Sequence, residues 1–346
     1  MAGKRPVNLI QVMLANGVLV RLFFFLALFA SALSAHADCE LVIYTYDSIV
    51  ARGGLGPEIF PEFEARSGCK IKTLASGDGV QALSRVELDS KRGKPAGQIL
   101  LGIDQSLWAR AKFYQQMARD FLSPSVVEVG QEALENGFFP YDYGVLSLIG
   151  DEQALSEKPH SLNDLVNAKW KKKLILEDPR MSTPGLEFVL FTAEVLGERF
   201  EAFWQMMSSQ WLAMPEGWDA AYGLFLKGEA PLVWSYTTSQ AYHEENGSHR
   251  YKAILFDEGQ PVQIESAMLI KNSFASSEQK KLAMDFLEYL LSETVQSKIA
   301  KTNWMLPIRK NTAIPKNFQD LPQPKKLFIL KGSDDLIKRW NRAVFR

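Results

Sequence analysis

The sequence predicts an α/β protein of two lobes with a ligand cleft between them. Short apolar or β-branched runs alternate with helical patterns, which implies largely parallel sheets covered by helices. The alternation occurs twice, once before residue 140 and once after 170. Two extended segments, 142–149 and 262–270, flank the second set and read as strands crossing between the lobes. The length of 346 residues also suits two domains of ordinary size.

The elements follow in order. Residues 40–46 form a strand that ends in Asp47-Ser48, and 57–66 are helical, stopping at Ser67-Gly68, a C-cap pattern. Residues 70–75 form a second strand ending in Ser76-Gly77-Asp78-Gly79, with a helix over 80–88. Residues 98–103 end in Asp104, with 107–117 helical after it. In the second set, 174–176 lead through Asp178-Pro179-Arg180-Met181-Ser182-Thr183-Pro184 into a helix over 186–196, and 232–235 lead into Tyr236-Thr237-Thr238-Ser239. Ser276-Ser277-Glu278-Gln279 is a capping-box pattern that opens a helix with Leu282, Phe286, Tyr289 and Leu290 on one face. These patterns divide the chain into a leader over 1–37, a first lobe of 38–140 with 263–300, and a second of 141–262 with 301–346.

The leader reads as a secretory signal. Residues 22–32 are LFFFLALFASA, preceded by Arg21 and followed by the small-x-small site Ala35-His36-Ala37. A permanent anchor is the alternative, but Arg21 interrupts a stretch that needs about 20 apolar residues to span. Met13 offers a second start that leaves a short n-region. Cleavage after Ala37 removes Lys4, Arg5 and Arg21 and no acid, leaving 36 basic against 40 acidic residues, or −4. Export places the chain in an oxidising compartment, where disulfides persist. Cys39 and Cys69 open successive apolar runs, so neighbouring parallel strands would bring both sulfurs to one end of a sheet. A Cys39–Cys69 disulfide is the expectation, with two free buried thiols as the alternative.

Composition excludes several classes. A chain 47% hydrophobic and 23% charged builds a real core. Lys+Arg 39 against Asp+Glu 40 gives no basic face for nucleic acid. Two cysteines and four histidines cannot furnish a cysteine-rich or histidine-rich metal site. There is no P-loop, GxSxG elbow, dinucleotide fingerprint, HExxH or CxxC, and His160, His243 and His249 lie in polar stretches that read as exposed. The chain is therefore not read as an enzyme, and no catalytic residue, metal or cofactor is assigned.

The strand ends offer recognition chemistry instead. In α/β sheets ligands bind beyond the carboxyl ends of strands, and those ends carry Tyr46, Asp78, Asp104, Ser182, Thr183 and Tyr236. Thr183-Pro184 reads as a helix start that could present N–H groups and hydroxyls to an anion. Tyr236-Thr237-Thr238-Ser239 reads as a second. Plain helix capping is the alternative for each. Trp218, Tyr242 and Trp304 sit in turn-like or polar contexts and suit cleft walls, where aromatic faces stack on flat rings and attract cations. Together these features fit a small heterocyclic cation, with or without phosphate.

Several strings then resemble a known family. They are Tyr44-Thr45-Tyr46-Asp47-Ser48, Gly77-Asp78-Gly79-Val80, Leu101-Gly102-Ile103-Asp104, the run from Asp178 to Gly185, the run from Gly217 to Glu229, Ser235-Tyr236-Thr237-Thr238-Ser239-Gln240-Ala241-Tyr242-His243, and Asn303-Trp304-Met305-Leu306-Pro307. Over about residues 40–310 the chain is similar to the thiamine-binding periplasmic proteins of ABC importers. The resemblance implies a two-lobed periplasmic binding protein fold, type II-like, and a monomer that closes on thiamine, thiamine monophosphate or thiamine diphosphate. It implies delivery to an inner-membrane permease with its ATPase subunit. By matching position, Asp78, Gly79, Ser182, Thr183, Trp218, Tyr236, Thr237, Thr238 and Ser239 would contact the ligand, and Tyr46, Tyr242 and Trp304 would line the cleft. Ser182-Thr183 would be the phosphate or hydroxyethyl end. The chain departs from the family at Arg52-Gly53-Gly54, where relatives carry a tryptophan; the missing wall and added charge favour a phosphate ester over a bare thiazolium. Ferric iron and a polyamine are the alternatives within the same fold, but no Tyr-Tyr pair occurs for iron, and a polyamine would want more converging carboxylates. An enzyme acting on thiamine phosphates lacks a visible nucleophile.

Overall fold

A computed structural model describes residues 39–118 and 125–345. The leader expected over 1–37 lies outside the described residues.

The first set of elements follows the sequence closely. Strand β1 (Glu40–Thr45) pairs in parallel with β2 (Lys70–Ala75) and β3 (Ile99–Ile103). Helices α1 (Asp47–Val50) and α2 (Leu55–Ser67) connect β1 to β2, and α3 (Gly79–Lys91) connects β2 to β3. α2 ends at Gly68, which takes the left-handed conformation (φ 72°) favoured by glycine at a helix C-terminus. The helix expected over 107–117 is reduced to one turn, Trp108–Ala111. The cause is tertiary: Trp108 stacks on Phe138 at 5.0 Å, and Gln116 N–H donates to Leu269 O while Lys271 N–H donates to Tyr114 O. The segment is thus pulled onto a sheet edge and cannot close a helical ladder. Neither Cys39 nor Cys69 is a free thiol, for each is disulfide-bonded.

The two halves share one long strand. β4 (Phe139–Asp151) leads to β5 (Leu174–Ile175), helices α4 (Thr183–Leu196) and α5 (Phe200–Met207), and β6 (Trp211–Ala213). Then come α6 (Trp218–Leu226), β7 (Leu232–Tyr236), α7 (Thr238–Glu245), β8 (Tyr251–Ile254) and β9 (Gln260–Leu269). The first half of β4 runs antiparallel to β9, with Asp142 opposite Glu265 and Val145 opposite Val262. From Leu146 onward β4 pairs instead with β7, and β8 joins it at Leu148. β9 also pairs with β3, and β5 pairs in parallel with β6 and β7. The sheet order is β2-β1-β3-β9-β4-β7-β5-β6, so β9 and β4 are the crossover strands between the parallel sets.

The last third returns to both halves. Helices α8 (Ser277–Leu290) and α9 (Glu293–Thr302) pack against α2, and α8 also against β1, with Phe286 edge-on to Phe63 at 5.2 Å. Helix α10 (Asp334–Val344) packs on α4 and α5, with Trp340 edge-on to Trp204 at 5.7 Å. At α8 the capping box is half formed. Ser276 Oγ accepts from Gln279 N–H, but the Gln279 side chain accepts from Ala275 N–H instead of from Ser276. The hydrophobic core is continuous beneath α4, running from Leu83 and Leu100 through Phe188 to Trp204 and Trp234.

Candidate ligand-binding cleft

The carboxyl ends of β1, β2 and β7 and the starts of α3, α4, α6 and α7 converge on a cavity of ≈ 760 Å³. The crossover strand β9 supplies its floor through Gln263 and Glu265. That volume lies within the range of small-molecule pockets.

Asp78 organises the junction of the two halves. It caps α3, its Oδ1 accepting from Gly79 N–H at 2.6 Å. The same oxygen accepts from Thr183 Oγ1 at 2.9 Å, and Oδ2 accepts from Ser182 Oγ at 2.9 Å. The start of α3 is thereby tied to the start of α4. Burial raises the Asp78 carboxyl above its usual range, while these hydrogen bonds pull it back down.

Tyr46, Asp78, Thr183, Trp218, Tyr236, Thr238, Ser239, Tyr242 and Trp304 all line the cavity. Gly79, Ser182 and Thr237 are not among the residues that line it. Gly79 is buried behind Asp78, the Ser182 hydroxyl is turned to Asp78, and Thr237 N–H is bound to Val145 O. Asp104 is fully buried away from the cavity, where it accepts from Ser106 N–H and Oγ; burial pushes its carboxyl up to about 7.

The aromatic residues are held by hydrogen bonds at their edges. Trp218 stacks on Tyr222 at 4.8 Å with an interplanar angle of 17°, and its Nε1–H donates to Ser235 Oγ at 2.8 Å. Tyr222 OH in turn meets His243 Nε2 at 2.9 Å. His243 is therefore buried behind the wall, contrary to its polar context in sequence, and burial lowers it to about 4. Tyr236 OH donates to Gln263 Oε1 at 2.8 Å. Tyr242 meets Trp304 edge-on at 4.8 Å. Tyr46 is seated over Gly102 (φ 96°), where a Cβ would come within 2.1 Å of the ring.

The cavity is strongly acidic. Among the described residues, Asp47, Asp78, Glu216, Asp219 and Glu265 line it against a single basic residue, Arg52. Ser48 Oγ donates to Asp219 Oδ2 at 3.1 Å, and Arg52 makes no ion pair among the described residues. Thr238 Oγ1 is buried without a partner. Glu265 accepts from Tyr46 OH at 2.7 Å, Tyr141 OH at 2.9 Å and Asn303 Nδ2 at 3.1 Å. Sequence reasoning missed Gln263, Glu265, Asn303 and Asp219. The alternation Val262-Gln263-Ile264-Glu265 was the available signal for two of them. Among the described residues no group of three or more His, Cys, Asp or Glu could hold a metal ion.

Two α/β halves joined by crossover strands, with the acidic aromatic cavity at the strand ends, define a two-lobed solute-binding protein. The chain belongs to the bacterial extracellular solute-binding proteins, whose family model matches residues 111–338, and within them to the thiamine-binding periplasmic proteins. It is 37% identical over 310 residues to the thiamine-binding periplasmic protein of Brucella melitensis, covering 89% of this chain and 91% of that one. It is 36% identical over 322 residues to that of Salmonella typhimurium, covering 91% and 96%. A solved periplasmic thiamin binding protein superposes with a TM-score of 0.77 at 33% identity, covering 90% of this chain and 98% of the other. Ferric ion-binding protein A of Pasteurella haemolytica superposes at 0.68 with 17% identity, a likeness of fold alone.

Proposed function

We propose that the chain binds thiamine in this cleft, together with its mono- and diphosphate, and delivers them to an inner-membrane permease driven by an ATPase subunit. It acts as a monomer in the periplasm, exported by a cleavable signal over residues 1–37, and carries out no chemistry on its ligand. The observation that supports this best is the pairing of aromatic walls with five acidic lining residues against one base. A flat cation gains from both, since ring faces attract positive charge and the acids set a favourable potential. The similarity to thiamine-binding periplasmic proteins supports the same ligand.

The start of α7 suits the phosphate, whereas that of α4 is already taken by the Asp78 carboxyl. Helix N-termini favour anions, and the unpartnered hydroxyl of Thr238 stands at one of them. Calorimetry of the purified mature protein with thiamine, thiamine monophosphate and thiamine diphosphate tests the reading, beside mass spectrometry of small molecules released on denaturation. Absence of binding to all three overturns it. Binding to thiamine with no affinity for the esters removes the phosphate part, and turnover of the diphosphate removes the non-enzymatic part.

A further inference from the structure

Resting on that reading, we propose that Glu265 receives the hydrogen-donating amino group of the ligand's heteroaromatic ring, with Asp142 as the carboxyl that backs it.

The argument begins with strand alternation. Val262 and Ile264 of β9 enter the core, so Gln263 and Glu265 face the other way, into the cavity. Gln263 is already engaged, accepting from Tyr236 OH and donating to Thr183 Oγ1 at 3.4 Å. Glu265 is different. It is 6% exposed, and its three donors Tyr46, Tyr141 and Asn303 all meet Oε2. Oε1 accepts from none of them. Burying a carboxylate is costly unless it is paired or fully hydrogen-bonded. The groups facing this one are Tyr46 at the end of β1, Tyr141 and Asp142 on β4, Asn303 after α9 and Tyr236 on β7, with Asp78 and Asp104 farther off. None is basic. Every donor that the protein gives Glu265 is neutral, the Asp142 carboxyl included, so a strongly polarised donor from the cavity adds a contact that the protein does not supply.

Asp142 sits directly opposite Glu265 in the β4–β9 ladder. Its Oδ2 accepts from Asn303 Nδ2 at 2.7 Å, and Oδ1 is buried without a partner. Two carboxyls at such a position do not both ionise. Burial raises both carboxyls; the charge of Glu265 raises Asp142 further, while hydrogen bonds from Tyr46, Tyr141, Asn303 and Asp142 pull Glu265 back and make it the one of the pair that ionises first. The pair therefore presents one negative charge. A phosphate would be repelled here, whereas an amine on a flat ring donates a hydrogen bond. This sets the ligand's direction, with the amino-bearing ring at Glu265 and the other end toward the start of α7.

The test compares thiamine with oxythiamine, in which the ring amino group is replaced by an oxo group, by calorimetry on intact protein, Glu265→Gln and Asp142→Asn. The intact protein should prefer thiamine by about tenfold or more, as a charge-assisted hydrogen bond requires. Glu265→Gln should lose most of that preference while changing oxythiamine affinity less than about threefold, and Asp142→Asn, which imitates the protonated acid, should keep the preference. Equal losses for both compounds in Glu265→Gln, or no loss, overturn the assignment and leave thiamine binding standing. Loss of the preference in Asp142→Asn overturns the backing role. If Glu265→Gln does not fold, the intact protein decides, because equal affinity for the two compounds overturns the assignment. Binding of neither compound by intact protein overturns this inference together with the proposed function.

Discussion

Thr183 Oγ1 lies 2.9 Å from Asp78 Oδ1, so the first residue of α4 is joined to the capping residue of α3 across the entrance to the cleft. Thr183→Val would leave a buried carboxylate short of a donor. We expect a loss of about 1–3 kcal/mol in unfolding free energy, the scale of an unmet buried hydrogen bond. Ser182→Ala should cost a similar amount while leaving the ratio of thiamine to thiamine monophosphate affinity unchanged, because that hydroxyl is turned to Asp78. Urea unfolding and calorimetry read the two effects. A changed ratio in Ser182→Ala would return the hydroxyl to the ligand.

Trp218→Ala and Tyr236→Ala should each weaken thiamine binding by about 1–3 kcal/mol, on the scale of an aromatic contact with its burial. That is roughly five- to a hundredfold or more in Kd. Trp218→Ala also frees Ser235 and uncovers Tyr222, so its melting temperature should fall as well. Affinity unchanged in both variants would remove the rings from the binding surface.

Arg52 is exposed and, among the described residues, is the one base lining the cavity. Arg52→Ala should lower affinity for thiamine diphosphate by severalfold at low salt, with the difference shrinking as salt screens an exposed charge. Thiamine affinity should stay level or rise. Equal changes for the two ligands would detach Arg52 from phosphate recognition.

Stability should depend on pH through the buried acids. Asp104 is raised to about 7 in the folded chain from an ordinary value of 3.8. A raised acid holds its proton longer in the folded state. Its stabilisation is complete below the unfolded value and is lost as pH rises through the folded one. Asp142, Glu177 and Glu187 are raised in the same sense. His243, lowered to about 4, acts oppositely, removing stability as pH falls below its unfolded value of 6.5. Between about pH 4 and 6.5 Asp104 and His243 oppose each other, so the decline from Asp104 should emerge as pH rises from about 6.5 through 7. Asp104→Asn should flatten that decline, and an unchanged slope would show that Asp104 is not the titrating group.

Titration of the denatured, unreduced mature protein should find no free thiol, since both cysteines are disulfide-bonded. Two reactive thiols per chain would contradict this.

The walls of the site were legible because they stand at strand ends. Tyr46, Asp78, Thr183, Trp218, Tyr236 and Trp304 follow apolar runs or sit in turns, where a side chain that is neither core nor helix face attracts notice. The floor was not. Glu265 and Gln263 lie in the middle of a strand, and a polar residue alternating with Val262 and Ile264 reads as solvent-facing until β4, Tyr46 and Asn303 are known to cover it. His243 was misread for the same reason, its polar neighbours giving no hint of the Tyr222 and Tyr251 rings against it. The helix that failed after Asp104 failed through bonds to Leu269 and Lys271, more than 150 residues away, which no local pattern encodes.

β4 changes partners between Val145 and Leu146, leaving β9 for β7 without a break in the strand. A connection held by hydrogen bonds on both sides of the changeover has no slack to pay out. Rotation of one half against the other must be absorbed as twist over a residue or two, beside the short stretch where β9 begins. We therefore expect the cleft to open by a swing of one half about that changeover, a motion that would also break the Asp78 bonds to Ser182 and Thr183.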